Sequence, residues 1–99
     1  MIRFVRTANI APGKQGDAIV FAKQIVDYIS KNLGVKLEVL LPIGGNANRI
    51  AWRAEYTNLA ALEELVTRSA ADAKYGELVK SGSSNFIAGS IHDSIWRTI

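Results

Sequence analysis

Between Lys14 and Leu33 the apolar residues recur every three or four positions, while the stretches on either side alternate every second position. That contrast restricts the available folds more than any other feature of the chain. A helix repeats its face about every 3.6 residues and a strand every two. Ala18, Ala22, Ile25, Ile29 and Leu33 carry the helical spacing, with Phe21 and Val26 beside them. Lys23, Gln24, Asp27, Ser30 and Lys31 fall elsewhere on the wheel. The spacing predicts one amphipathic helix over 14–33, about 30 Å long, with Gly34 placed to cap its end.

The flanking stretches read as strands. "IRFVRTAN" (2–9) is β-branched and aromatic, and Pro12 and Gly13 break it before the helix. "VKLEVLLPI" sets Leu37, Val39, Leu41 and Ile43 on one face. "GGNAN" is a turn, and "RIAWRAEY" returns, so 36–56 reads as a hairpin. Asn58 is a good N-cap for a second helix with Leu59, Leu62, Leu65, Val66 and Ala70 on its apolar face. A further helical piece, "DAKYGELVK", carries Ala73, Leu78 and Val79. "SGSSN" reads as a loop and "FIAGSIHDSIWRTI" as the last strand. The order is β-α-β-β-α-β over a single domain, 1–99. That is the α+β, ferredoxin-like plan: a four-stranded antiparallel sheet with its helices on one face.

Two helices cover only one side of such a sheet, so a solitary chain should show a polar second face. In the third strand Ile50, Trp52, Ala54 and Tyr56 oppose Arg49, Ala51, Arg53 and Glu55; in the first, Val5 lies opposite Ile2, Phe4 and Ala8. The second face is therefore mixed, with Val5, Leu40 and Ala51 among Arg3, Glu38, Arg53 and Glu55. A half-apolar face with charges of both signs predicts a homodimer through the sheet.

Composition narrows the chemistry. Cysteine is absent and histidine occurs once, which excludes a disulfide framework, a thiolate metal site and a His-rich metal site within one chain. No metal site and no cofactor are expected. Net charge is +3, but the basic residues never form a run, so no nucleic-acid partner is expected. "RIAWRAEY" lacks the aromatic pattern of an RNA-recognition strand. No apolar stretch approaches a membrane span and none has the form of a signal peptide, which predicts no membrane association and a cytoplasmic location.

Candidate site residues fall into two groups. His92 is the one side chain whose ordinary pKa lies near neutrality, which makes it the candidate catalytic acid or base. Strand alternation turns it away from Asp93, so sequence adjacency does not make a dyad. Phe4, Arg6, Phe21, Trp52, Tyr56 and Tyr75, with Tyr28, are candidates to line a flat pocket for a small apolar or aromatic ligand. Arg6 shares a face with Phe4. On the covered face its charge needs a partner: Glu55, Asp93 or an anionic ligand. "GGNAN" and "SGSSN" sit at strand ends and read as turns, not phosphate cradles.

"PGK" after the first strand, "YTNLAALEEL", "DAKYGELV" and "GSIHDSIWRTI" together resemble the dimeric α+β barrel superfamily. That group includes the antibiotic-biosynthesis monooxygenases and NIPSNAP-like proteins. The resemblance implies a homodimer with stacked sheets and a pocket between each sheet and its helices. In some members that pocket serves cofactor-independent oxygenation of aromatic substrates. Heme-degrading members use an asparagine on strand one with a tryptophan and a histidine of the helical region. Here Asn9 ends strand one close to Gly13, and residues 58–80 contain neither tryptophan nor histidine. The function expected is thus a small-molecule-binding protein of monooxygenase type. The alternative is a non-catalytic ligand sensor or structural dimer.

Overall fold

The structure, a computed structural model, describes residues 1–99. Strand β1 (Ile2–Asn9) leads into helix α1 (Gln15–Tyr28), and β2 (Glu38–Leu40) and β3 (Arg49–Tyr56) follow. Helices α2 (Leu59–Ala70) and α3 (Ala73–Gly82) precede β4 (His92–Arg97). The sheet is antiparallel in the order β2-β3-β1-β4. The ferredoxin-like α+β plan read from the sequence is the fold observed.

Register fixes the faces. Ile2, Phe4, Arg6 and Ala8 lie opposite Tyr56, Ala54, Trp52 and Ile50 of β3. Phe4 and Arg6 lie opposite Ile95 and Asp93 of β4. This face carries the core. Ala8, Ile50, Trp52, Ala54 and Tyr56 are buried against Ala18, Phe21, Ala22 and Ile25 of α1 and Leu62 and Leu65 of α2, all within one apolar cluster. Arg3, Val5 and Thr7, with Glu55, Arg53 and Ala51, form the other face, which no helix covers.

Five features differ from the sequence reading, each for a local reason. α1 ends at Tyr28, and Ile29–Leu33 continue as a widened π-helical turn. Gly34 closes that turn at φ 71°, a left-handed geometry that suits glycine. The Arg68 guanidinium donates to the Leu33 carbonyl at 3.1 Å, satisfying one of the exposed end groups. β2 shrinks to three paired residues. Pro42 has no N–H to donate, and residues 41–43 lie outside the paired strand, with a bend beginning at Ile43. The second helical region is two helices, broken at Ala71 and Asp72. Each carries its own N-cap: Asn58 accepts from the Ala61 N–H and Asp72 from the Tyr75 N–H. α3 runs through Gly82, so part of "SGSSN" is helical and Ser83–Asn85 form a 3-10 turn. The last strand is limited to 92–97. Phe86 makes only a lone bridge with Ile10, and Gly89 turns the chain at φ 77°. Beyond β4, the Thr98 N–H bonds the Met1 carbonyl at 2.9 Å.

Candidate functional site

The layer between sheet and helices holds all six residues expected to line a pocket, but it divides them. Phe21, Trp52 and Tyr56 are buried in the core cluster. Phe86 packs against both Phe21 and Trp52, with ring centroids 5.7 and 5.9 Å away in tilted and edge-on geometries. The Trp52 indole N–H points to the Ala22 carbonyl at 3.4 Å. The centre of the layer is therefore packed with aromatic side chains. Phe86 was not singled out in the sequence because it follows a loop and carries no periodicity. The aromatic residue directly after "SGSSN" was the available signal.

Phe4, Arg6 and Tyr75 are different. All three are half-buried, at the margin where β4 extends beyond the helices. Arg6 grips Asp93 in a two-pronged ion pair: Nε–H donates to Oδ1 at 2.7 Å and Nη2–H to Oδ2 at 2.9 Å. Its guanidinium carbon lies 5.7 Å from the centre of the Phe4 ring, within cation–π range. Of the three partners considered for Arg6, Asp93 is the one it holds. Glu55 is engaged on the other face by Arg53 and, at 3.5 Å, by Arg3.

The electrostatics follow from this contact. The Arg6 hydrogen bond holds the Asp93 carboxyl below its ordinary pKa, against the opposing effect of burial. The same hydrogen bond raises the guanidinium's own pKa. Burial raises the Tyr75 hydroxyl, and the Arg6 charge pulls it partly back. Tyr56 is raised mainly by burial and secondarily by Tyr75. At neutral pH the margin thus holds a fixed ion pair and two protonated tyrosines. Nη1 of Arg6 makes no hydrogen bond to the protein.

Tyr28 does not join this group. Its hydroxyl donates to both Asp72 carboxylate oxygens at 2.8 Å, tying α1 to the start of α3, and its ring lies 5.9 Å from that of Tyr75. Asp72 is held low first by the Tyr75 N–H and then by the Tyr28 hydroxyl. His92 is on the opposite side of the sheet from Asp93. It is exposed on the uncovered face beside Thr7, away from Arg6 and Tyr75.

The uncovered face carries its own ion network. Arg53 donates to Glu38 at 2.8 Å across the β2–β3 pair and also contacts Glu55, which Arg3 approaches from β1. Val5, Thr7 and Ala51 lie beside it, half-buried, and Trp96 projects from β4 two-thirds exposed. Two shallow depressions border this face on its β2 side. One, of about 210 Å³, is bordered by Thr7, Leu40, Pro42 and Arg49. The other, of about 370 Å³, is bordered by Gly34, Lys36, Arg53 and Glu55. Neither includes a residue of the Arg6 cluster. The chain contains no group of three or more His, Cys, Asp or Glu side chains arranged to hold a metal ion. No helix is long and apolar enough to cross a membrane.

No family model matches the chain, and no curated protein does. Solved structures do. An uncharacterised NIPSNAP domain protein from Burkholderia xenovorans superposes with a TM-score of 0.84 at 15% identity, covering 100% of this chain and 95% of that one. An antibiotic biosynthesis monooxygenase gives 0.73 at 11% identity, covering 100% and 99%. SnoaB, a cofactor-independent oxygenase from Streptomyces nogalater, gives 0.70 at 9% identity, covering 98% and 91%. At these identities the likeness is one of fold. The fold is that of the NIPSNAP and antibiotic-biosynthesis-monooxygenase domains, as the sequence resemblance implied.

Proposed function

We propose that this protein binds a small, flat, conjugated molecule bearing an acidic oxygen, at the margin between β1, β4 and α3. It does so as a two-fold pair of chains stacked through the uncovered sheet face. The observation that carries the ligand reading is the Arg6–Asp93 pair. It lies on the helix side of the sheet, where Phe4, Tyr75 and Ile95 offer apolar contact and the site is still half open. Asp93 holds the guanidinium plane in place, and Nη1 remains to receive a ligand oxygen. Phe4 and Tyr75 offer ring surface. An enolate or phenolate fits this arrangement better than a neutral hydrocarbon, because a charge-assisted hydrogen bond is about twice as strong as a neutral one.

The finer reading is oxygenation of that ligand by dioxygen. A ring methylene and O2 give a carbonyl and water, and the electrons come from the substrate. Arg6 would favour the deprotonated, electron-rich form that O2 attacks, and the apolar surround would keep it oriented. The fold likeness to SnoaB supports this class of chemistry as a reading. The packed aromatic centre formed by Phe21, Trp52 and Phe86 favours a second reading, a structural pair with no ligand.

Titration with 1-naphthol, oxygen uptake with a hydroxylated anthrone, and sedimentation separate these readings. The ligand reading expects saturable naphthol binding that Arg6→Ala weakens tenfold or more, with binding tighter as the naphthol ionises. Oxygen consumption with the anthrone, lost in Arg6→Ala, supports the oxygenase. A particle of twice the chain mass with no naphthol binding sinks the ligand reading and leaves the structural pair.

A further inference from the structure

Helix α3 opens with little apolar anchorage. Among residues 73–81 only Tyr75 and Leu78 are partly buried, and the buried residue of the helix, Gly82, is at its far end. The first turn is set instead by Asp72. Its carboxylate accepts from the Tyr75 N–H at 3.0 Å, and its backbone carbonyl accepts from the Gly76 N–H at 3.0 Å. That carboxylate is in turn held by Tyr28, the last residue of α1, whose hydroxyl lies 2.8 Å from both Oδ1 and Oδ2 and donates between them. The Tyr28 ring stands 5.9 Å from the Tyr75 ring, tilted by 33°. α1 itself is fixed in the core through Ala18, Phe21, Ala22 and Ile25. Direct contacts therefore run from the packed layer through Tyr28 and Asp72 to Tyr75. The Tyr75 hydroxyl makes no hydrogen bond to the protein, so its own polar tip does not hold the ring.

We infer that Tyr28 and Asp72 are positioning residues for the Arg6–Asp93 site: together they set where the Tyr75 ring stands beside Arg6. The inference rests on the ligand reading above. Tyr75 lies near enough to Arg6 for the guanidinium charge to act on its phenol. Phe4, the other ring offered to a flat ligand, belongs to β1, which is paired on both sides within the sheet. Its place is fixed by that pairing. Tyr75 belongs to a lightly buried helix, so its place depends on the brace behind it. A charge-assisted hydrogen bond is short and directional and fixes a helix start more narrowly than loose apolar contact does. Without the Tyr28 hydroxyl, α3 keeps its cap but loses its polar link to α1. Without the Asp72 carboxylate it loses both. Neither residue touches the ligand; both act through Tyr75.

Binding of 1-naphthol and nuclear magnetic resonance, both on the full chain, test this. Tyr28→Phe keeps the ring and removes the hydroxyl. It should weaken naphthol binding about threefold or more, with circular dichroism unchanged. Asp72→Ala should weaken it at least as much, and Asp72→Asn, which restores a capping oxygen, should recover most of that loss. Tyr28→Phe is then repeated in a Tyr75→Leu chain. There it should cost nothing further, because a residue that acts through another has no separate effect once that other is gone. An equal loss in both backgrounds overturns the inference. A measurement without ligand runs beside these. The chain has three tyrosines, so ring-labelled tyrosine gives signals that single Tyr→Phe variants assign. Tyr28→Phe should move the Tyr75 ring signal and the Arg6 Nε–H resonance. If the unmodified chain binds naphthol but Tyr28→Phe moves neither the affinity nor these signals, this inference is overturned and the ligand reading stands. If the unmodified chain binds no naphthol, the ligand reading itself has failed.

Discussion

Gly82 and Gly76 show how one helix can hold two glycines for opposite reasons. Both lie in α3. A Cβ at Gly82 would fall inside the ring of Phe21, which is itself wedged against Phe86. A Cβ at Gly76 would meet nothing. Gly82→Ala should therefore cost about 1–3 kcal/mol by overpacking. Gly76→Ala should gain about 0.5–1 kcal/mol from helix propensity and a less free unfolded chain. For a domain of this length 1 kcal/mol moves the melting temperature by roughly 4–8 °C, so calorimetry should show shifts of opposite sign. Equal shifts would mean that the Phe21 contact is not felt. Neither role is legible in "KYGELVKSG", where the two glycines look alike. The difference is made by Phe21, some sixty residues earlier. Residue faces within strands were legible, since alternation is local. Residue partners across elements were not, and Arg6 had three sequence-level candidates until register placed Asp93 beside it.

Two polar ties join elements that are distant in the chain: Arg6–Asp93 between β1 and β4, and Tyr28–Asp72 between α1 and α3. β4 is an edge strand of six residues with most of its side chains exposed, so the first tie matters to its docking. Arg6→Ala should speed hydrogen exchange in β4 while leaving the β1–β3 amides protected. Unchanged β4 exchange would show that backbone pairing alone holds the strand. Acid should act on both ties. The Asp93 and Asp72 carboxyls have folded pKa values below the ordinary carboxylate value of about 3.9. Their stabilisation is complete above that value and is lost as pH falls through the folded values. Urea midpoints should therefore drop below about pH 4, and the drop should be smaller in Asp93→Asn. The Asp93 share should be no more than about 1 kcal/mol, because both partners are more than a third exposed and screened by water. An equal drop in the variant would remove Asp93 from the acid response. Element boundaries were the least legible part of the fold. Pro42 cut β2 to three residues, and Asp72, read only as part of a helical piece, proved to be the cap that starts a separate helix.

At the scale of the whole molecule the fold could be read because periodicity switched cleanly between helix and strand. The site could not, because Arg6 and Asp93 come from opposite ends of the sequence and the centre of the neighbouring layer is filled by Phe86, a residue with no pattern around it. The open sheet face gives the prediction proper to this scale. Val5→Lys, placed on the uncovered face away from Arg6, should leave the circular dichroism unchanged and halve the sedimenting mass; an unchanged mass would argue against stacking through that face. Trp52 and Trp96, the only tryptophans, stand on opposite sides of one sheet, one sealed under α1 and the other two-thirds open to water. They are consequently separate optical reporters. Emission from a Trp96→Phe chain should shift to longer wavelength only when the core unfolds, while emission from a Trp52→Phe chain should already shift on dilution, as assembly is lost and before folding is.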